Sequence, residues 1–485
     1  MIGHNGRIAW GVTNTGPDVQ DLFVERVQGD KVEYKGALEP LTVVRETIKV
    51  KGAADKVIDV RITRHGPLIS DAIEGTGEPL AFRWTALDAD DSTLEAFLNI
   101  NRARDWSSFT EALRGYKAPM QNFVYADVDG NIGYYAPGAL PIRAAGDGAA
   151  PAPGWTGEYD WQGYVPFEEL PHTYNPPQGY IASANNRVVG EGYLHFIGSS
   201  YAAPYRAARI VELIESKPRL SPDDIAAMQA DVTSAQAREM LPLLLNAQPQ
   251  DDRSRQAVDM LRGWDGAMRG DSPQAAIYAA WYRWLPSAIV GDELGDELYA
   301  DIGGATSDFL AIALPPMLGG EEGEWCDDVS TPEDESCDLQ IGKALQSGLD
   351  EMARAQGTGD IRAWRWDKVH HAVFPHNPLD NVPQLASIFS RSIPNGGDKF
   401  TVDVAPARSV PGRFNQYHVP SYRQIVDLAN LDESRFIHTV GQSGSPLSQH
   451  YDDLLQRWQR VQYLPMPFSQ AAVDAVVRER LTLKP

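Results

Sequence analysis

Two aspartates lie close together near the beginning of the chain, and their side chains are of the kind that binds hard cations. Asp18 and Asp21 flank Gln20, whose backbone carbonyl supplies a further oxygen in the same short loop. Ca²⁺ takes about six to eight oxygen ligands from carboxylates and carbonyls. We therefore expect Asp18, Gln20 and Asp21 to bind Ca²⁺, with an ordinary charged loop after a strand as the alternative.

Two other patterns contain residues that could form a serine nucleophile or a zinc site, but neither pattern matches its motif completely. The sequence GQSGS at 441–445 lacks the final glycine of the G-x-S-x-G motif, and the residues after it do not continue as the helix that this motif requires. His370, His371 and His376 lack the i, i+4 spacing and the acidic base of a zinc-protease helix. We expect neither a Ser443 triad nor a zinc site, and we assign these histidines to the core or the surface.

Longer motifs run through most of the chain. Residues 3–21 read GHNGRIAWGVTNTGPDVQD and residues 179–186 read GYIASANN. Weaker landmarks lie between and after them: QNFVYAD at 121–127, DWQG at 160–163, PFEELP at 166–171 and GQSGSP at 441–446. Taken together, the motifs resemble the β-chain of the penicillin acylase family of N-terminal-nucleophile (Ntn) amidohydrolases over nearly the whole sequence.

This resemblance implies a fold and a chemistry. The fold is α+β, the αββα sandwich of Ntn hydrolases with a large helical insertion. Ntn amide hydrolysis needs a nucleophile whose own α-amine acts as the base, together with donors aimed at the oxyanion. The resemblance assigns one oxyanion donor to the backbone N–H of Asn14, the second to the side-chain amide of Asn185, and a supporting role to Arg206. The alternatives are a simple turn at Asn185-Asn186 and an arginine that snorkels from its helix.

The same resemblance implies what the chain lacks. In the family, the motif at 3–14 follows the catalytic N-terminal serine, so we expect no nucleophile within this chain, which would be an N-terminally truncated β-chain without its α-chain. Family members bind calcium at the positions of Asp18, Gln20 and Asp21 with help from an α-chain glutamate. Phe196 stands where they carry a further aspartate ligand, so we expect this chain alone to hold calcium weakly.

The elements that position these residues fall into three predicted parts: a sheet-rich part at 1–200, a mainly helical part at 201–395, and a return to strands with a C-terminal helix at 396–485. Strands are predicted from alternating apolar residues, and helices from apolar residues at helical spacing. The predicted strands are 8–12, 43–50, 57–63, 400–404 and 422–428, with a hairpin at 122–138. The predicted helices are 93–101, 107–117, 203–215, 221–229, 234–245, 252–264 and 448–458, and 273–355 is mostly helical. Sheet, helices and sheet again imply that the two β regions share one sheet system.

Composition restricts the partners. The net charge of −23 argues against nucleic acids and anionic membrane surfaces. No apolar run reaches the ~20 residues of a membrane span. The only two cysteines, Cys326 and Cys337, lie in one acidic loop without a nearby histidine. We expect them to form a disulfide in an oxidising compartment, with two free thiols as the alternative.

Two functions follow from these observations. In the first, the chain is most of the β-chain of an acylase that cleaves an acyl group from a β-lactam or an N-acyl homoserine lactone, in a periplasmic or secreted precursor that matures by autoproteolysis. In the second, it is a non-catalytic remnant that serves as a binding or accessory protein. The resemblance favours the first, and the small-molecule amide and the missing α-chain are then its partners.

Overall fold

A computed structural model describes residues 2–73, 75, 77–320, 323–408 and 412–484. The chain forms two compact units, Met1–Tyr201 and Ala202–Pro485, and each is described by itself. The three-part division expected from the sequence stays a prediction. Within the described ranges, no helix combines the length and the apolar character needed to cross a membrane.

The first unit is rich in short strands. In chain order they are β1 (Gly3–His4), β2 (Ile8–Asn14), β3 (Gln20–Val24), β4 (Val27–Gln28), β5 (Lys31–Tyr34), β6 (Ala37–Pro40), β7 (Thr42–Ile48), β8 (Lys56–Thr63), β9 (Gly66–Pro67), β10 (Leu80–Trp84), β11 (Gln121–Asp127), β12 (Ile132–Tyr135), β13 (Pro141–Arg143), β14 (Ala152–Pro153), β15 (Trp161–Tyr164) and β16 (His172–Tyr174). The predicted strands at 8–12, 43–50 and 57–63 and the hairpin at 122–138 are thereby confirmed.

A five-stranded sheet forms the centre of this unit, in the order β1-β2-β11-β12-β16. Strands β2 and β11 are antiparallel, and Asn14 at the end of β2 pairs with Gln121 at the start of β11. Helices α1 (Thr93–Ile100) and α2 (Trp106–Leu113) belong to the same unit. Their buried residues share one apolar cluster with Phe123 of β11. The sheet is therefore anchored on this cluster, and the loop after Asn14 leaves from a fixed strand end.

The second unit is mainly helical. Its helices are α3 (Tyr205–Glu215), α4 (Pro222–Gln229), α5 (Ala235–Leu244), α6 (Asp252–Leu261), α7 (Pro273–Asp301), α8 (Asp308–Leu318), α9 (Cys337–Gln356), α10 (Pro383–Phe389), α11 (Leu455–Gln459) and α12 (Gln470–Val476). Serine caps start several of them: Ser221 caps α4 in a reciprocal capping box with Asp224, and Ser234 caps α5. The four predicted helices between 203 and 264 are confirmed.

The strands of the second unit form two small sheets. These strands are β17 (His371–Phe374), β18 (Arg391–Pro394), β19 (Tyr422–Ile425), β20 (Arg435–His438) and β21 (Leu464–Pro465). β17 pairs with β18, and β19, β20 and β21 form a sheet of their own. Among the described residues, the strands of these two sheets pair with one another and not with strands of the first unit, and the expectation of one shared sheet system stays a prediction. Ile437 of β20 is buried in a local cluster with Trp458 of α11, so this sheet already has its own core.

Two predicted elements near the C-terminus are wrong. Residues 400–404 form bends instead of a strand, because the Thr401 hydroxyl accepts from the backbone N–H of Asp398 and donates to the carbonyl of Asp403. Of the predicted helix at 448–458, the C-terminal part is helical, as α11 (Leu455–Gln459). The first half of the predicted helix folds back on the preceding loop, where the carbonyl of His450 accepts from the amide of Ser443.

Candidate functional site

Asn14 and Asn185 are in contact in the first unit. Asn14 ends β2, and Asn185 lies in the loop that follows β16. The Asn185 side-chain Nδ2 donates to the backbone carbonyl of Asn14 at 3.1 Å, a hydrogen bond between residues 171 positions apart. Asn185 has a φ of 66°, in the left-handed region that asparagine enters more readily than most residues. The structure therefore brings together the two residues that the motifs single out.

A buried asparagine, Asn122 of β11, connects the two segments. Its Nδ2 lies 3.2 Å from the carbonyl of Asn14, 3.0 Å from Thr13 Oγ1 and 3.2 Å from Ser183 Oγ. Its Oδ1 accepts from the Tyr134 hydroxyl at 2.6 Å. Its Oδ1 also accepts from the Thr15 hydroxyl at 3.3 Å, and Asn122 has no exposed surface, so its amide is satisfied by protein groups. It fixes the end of β2 and the 179–186 motif in one arrangement.

Sequence reasoning notes Asn122 only as part of a landmark and gives it no role. The signal is a polar residue directly before the apolar run FVYA at 123–126 of β11. A buried amide in that position needs several partners. Two of those partners, Thr13 and Ser183, also contact each other through their hydroxyl oxygens at 2.6 Å.

The loop after Asn14 packs closely against a second stretch of backbone. The amide of Asp18 donates to the carbonyl of Ile197 at 2.6 Å. Gly16 has a φ of 69°, and a Cβ at Gly198 would lie 2.8 Å from the Gly16 carbonyl oxygen. This approach leaves no space for a side chain at Gly198. Backbone contacts with Ile197 and Gly198 thus hold one side of the loop that carries the predicted calcium ligands.

The predicted calcium ligands contact an arginine. Asp18 and Asp21 both bind the guanidinium of Arg143, through Nη2 at 2.9 and 2.7 Å. The amide of Gln20 donates to the Asp18 carboxylate. Within the described part of the chain, no three His, Cys, Asp or Glu side chains are grouped so as to hold a metal ion. Asp18 and Asp21 are thus already paired with a cation, and calcium binding at these residues stays a prediction.

Burial and charge act against each other in this ion pair. Burial raises the pKa of Asp18, and the nearby Arg143 opposes that effect. Burial also disfavours the charged guanidinium, but hydrogen bonding to Asp21 leaves the pKa of Arg143 raised. Arg143 accordingly keeps the positive charge that arginine carries in proteins.

Arg206, the third predicted residue, lies in the second unit near the start of α3. Burial lowers the pKa of its guanidinium, and the carboxylate of Asp308 opposes that effect. The supporting role expected for Arg206 stays a prediction.

The remaining candidates of the second unit serve the structure. Cys326 and Cys337 form a disulfide with an S–S distance of 2.00 Å and a sequence separation of 11. His370 is fully buried, stacks on Trp366 with ring centroids 4.3 Å apart, and bonds the carbonyl of Phe414 through Nδ1 at 2.7 Å. His370 is a core residue, as the sequence indicated.

The arrangement around Asn185 suits the stabilisation of negative charge. A carboxamide nitrogen carries two N–H donors, and the bond to the Asn14 carbonyl fixes the orientation of this one. The orienting carbonyl is itself held by the buried amide of Asn122. Fixed donors of this kind stabilise an oxyanion because they need no reorganisation when the charge develops.

Comparisons with known proteins place the chain in a family. Residues 1–475 match the penicillin amidase family. An acyl-homoserine lactone acylase QuiP from Pseudomonas fluorescens is 33% identical, over 100% of this chain and 61% of that protein. The penicillin acylase 2 proenzyme of Pseudomonas sp. SE83 is 30% identical, over 99% of this chain and 61% of that protein. The chain thus spans about three fifths of the length of these relatives.

A solved structure shows the same fold. The thermostable penicillin G acylase of Alcaligenes faecalis superimposes with a TM-score of 0.76, over 100% of this chain and 89% of that chain, at 22% sequence identity. This likeness confirms the predicted class, the α+β fold of the Ntn hydrolases.

Proposed function

Because the chain belongs to the penicillin amidase family, we propose that it forms part of an enzyme that hydrolyses linear amides and releases an acyl group. The observation that carries the proposal is the contact of the Asn185 carboxamide with the Asn14 carbonyl at 3.1 Å. The motifs at 3–21 and 179–186 thus meet at the end of β2. There the Asn14 carbonyl orients the Asn185 side chain, and the buried amide of Asn122 holds that carbonyl.

The proposal gives each residue a role. Attack on an amide carbonyl places negative charge on its oxygen, and the side-chain amide of Asn185 together with the backbone N–H of Asn14 stabilises that charge. Asn122 positions both residues. Arg206 supports the site, as the family motif indicates. The family resemblance assigns the serine nucleophile to a part of the precursor that this chain, which covers 61% of its relative's length, does not match.

The substrate class follows from the names of the relatives. Proteins similar to this chain over almost its full length include acyl-homoserine lactone acylases and a penicillin acylase. We include both substrates, an N-acyl homoserine lactone and a β-lactam with an acyl side chain. The disulfide between Cys326 and Cys337 supports maturation in an oxidising compartment, in the periplasm or outside the cell.

An amidase assay tests the proposal. The 485-residue chain is compared with a longer protein that includes the coding sequence read in frame upstream of Met1. Each is given a chromogenic phenylacetyl anilide and an N-acyl homoserine lactone, and the released amine is measured. The longer protein is expected to release the amine, and the 485-residue chain to stay at the buffer background.

The opposite outcomes are equally informative. Turnover by the 485-residue chain would show that the nucleophile lies within it. A folded longer protein without activity on either substrate, or in-frame stop codons upstream, would favour the non-catalytic binding or accessory function.

A further inference from the structure

The guanidinium of Arg143 lies where a bound cation would have to lie in the loop after β2. We propose that Arg143 is the permanent counter-ion of this loop and that it positions the loop without any divalent metal. The inference goes beyond the proposed function and does not depend on it, because it concerns how Asp18 and Asp21 are neutralised.

The contacts of Arg143 engage both carboxylates. Its Nη2 lies 2.7 Å from Asp21 Oδ1 and 2.9 Å from Asp18 Oδ1. Its Nε donates to Asp21 Oδ2 at 2.8 Å, which makes the Asp21 pair bidentate. Nη2 also lies 3.3 Å from the backbone carbonyl of Asp18. Paired donors of this geometry are the strongest ion pairs that proteins form.

The surroundings close the pair off from solvent. The side chains of Arg143 and Asp21 are only 5% and 6% exposed. The indole Nε1 of Trp161 donates to Asp21 Oδ2 at 2.5 Å. Gly148 packs directly on the pair, and a Cβ there would overlap both Asp21 Oδ1 and Arg143 Nη2. A Ca²⁺ ion needs about six to eight oxygens at ~2.3–2.6 Å, and the Asp18 and Asp21 oxygens that it would take are already bound by this guanidinium.

Charge leads to the same conclusion. A divalent ion could bind Asp18 and Asp21 only by displacing Arg143, which would leave a buried guanidinium without a partner. The pair therefore excludes the metal and replaces it. Arg143 ends β13, so it links that strand to the start of β3 and to the loop behind Asn14.

The first test uses the unmodified chain. Thermal unfolding is followed in EDTA, in CaCl₂ and in MgCl₂ at matched ionic strength, and CaCl₂ is titrated calorimetrically. We expect the same Tm in EDTA and CaCl₂, and no binding heat. A saturable rise of Tm with Ca²⁺ that disappears in Asp21→Asn would overturn the proposal and establish a calcium site.

The second test removes the internal cation. Arg143→Ala is expected to lower Tm by roughly 5 to 10 °C, because it leaves buried carboxylates unpaired, and added Ca²⁺ is expected to restore part of the loss. The matched control is Arg61→Ala, which removes the bidentate pair with Asp71 in the same unit and should show no response to Ca²⁺.

The variant results decide the role of Arg143 independently of enzymatic activity. An Arg143→Ala protein with the Tm of the wild type, or with a lowered Tm that Ca²⁺ does not raise, would contradict the substitution of arginine for a metal. If that variant does not fold, the titration of the unmodified chain still decides the question.

Discussion

The two units of the chain have different interiors. The second unit packs its helices around a large apolar cluster that includes Trp281, Leu285 and Leu349. The first unit has an apolar cluster under its sheet, but its loops are held by buried polar side chains such as Asn122 and Asp21. Burying polar groups is costly unless each has a partner. Buried polar side chains occur in the second unit as well, such as the ion pair of Arg423 with Asp403, but Asn122 and Asp21 of the first unit hold the strand ends and loops next to Asn14.

A second polar cluster in the first unit follows the same rule. His65 bonds Glu25 through Nδ1 at 2.8 Å and Asp160 through Nε2 at 3.0 Å. Its ring stacks on Phe23 with centroids 4.1 Å apart. Strand β3 is thus fixed by Arg143 at its beginning and by His65 near its end. Mutations in the two interiors should accordingly differ in what they disturb.

The largest effect is expected in the apolar interior. Trp281→Ala removes a fully buried indole and leaves a cavity, so we expect a loss of about 3–5 kcal/mol in the free energy of unfolding. Denaturant unfolding measures it. The control is Phe309→Ala, because Phe309 is 67% exposed. A similar loss in both variants would contradict the packing described for the second unit.

His370 is a titratable side chain buried in the second unit, so its protonation tests the interior of that unit. Burial lowers its pKa to about 4 from the ordinary 6.5. The unfolded chain therefore binds a proton before the folded one does, and stability falls as the pH drops from about 6.5 to 4, by on the order of 3 kcal/mol. His370→Gln should flatten this part of the curve of unfolding free energy against pH. An unchanged slope in the variant would show that other groups are responsible.

Asn122→Ala tests the polar interior of the first unit. It removes the acceptor of the Tyr134 hydroxyl and one of the two side-chain donors to the Asn14 carbonyl, the other being Asn185, and we expect a loss of roughly 1–3 kcal/mol in the free energy of unfolding. In the longer protein, kcat for amide hydrolysis should fall as well, since Asn122 positions both oxyanion residues. Asn99→Ala, at an exposed position of helix α1, is the control. Full activity of the Asn122→Ala protein would show that Asn122 does not position the two oxyanion residues.

The smallest effect on the free energy of unfolding is expected at a helix cap of the second unit. Ser272 accepts from the amide of Ala275 and caps α7, and Ser272→Ala should cost about 1 kcal/mol. Chemical denaturation of both proteins under the same conditions measures this difference. A loss as large as that of Trp281→Ala would mean that the helix ends, rather than the apolar cluster, hold the second unit together.

The comparison also explains what the sequence could predict. Helices with serine caps and periodic apolar residues, such as α4 and α5, depend on neighbouring residues and were predictable within a few positions. The contact between Asn14 and Asn185 could be predicted only from the family resemblance of the two motifs that contain them. The pairing of Arg143 with Asp21 was not, because its partners lie 122 residues apart and no periodicity signals such a contact. Residues 400–404 alternate like a strand, but Phe400 packs against Tyr205 instead.

The most direct test of the oxyanion assignment is the steady-state kinetics of Asn185→Ala in the longer, active protein. Asn186→Ala is the matched control, because the Asn186 side chain bonds nearby backbone, accepting from the amide of Ala184 and donating to the carbonyl of Arg187. We predict that Asn185→Ala lowers kcat roughly 100- to 1000-fold with little change in KM, whereas Asn186→Ala keeps most of the activity. A folded Asn185→Ala protein with the kcat of the wild type would contradict the account.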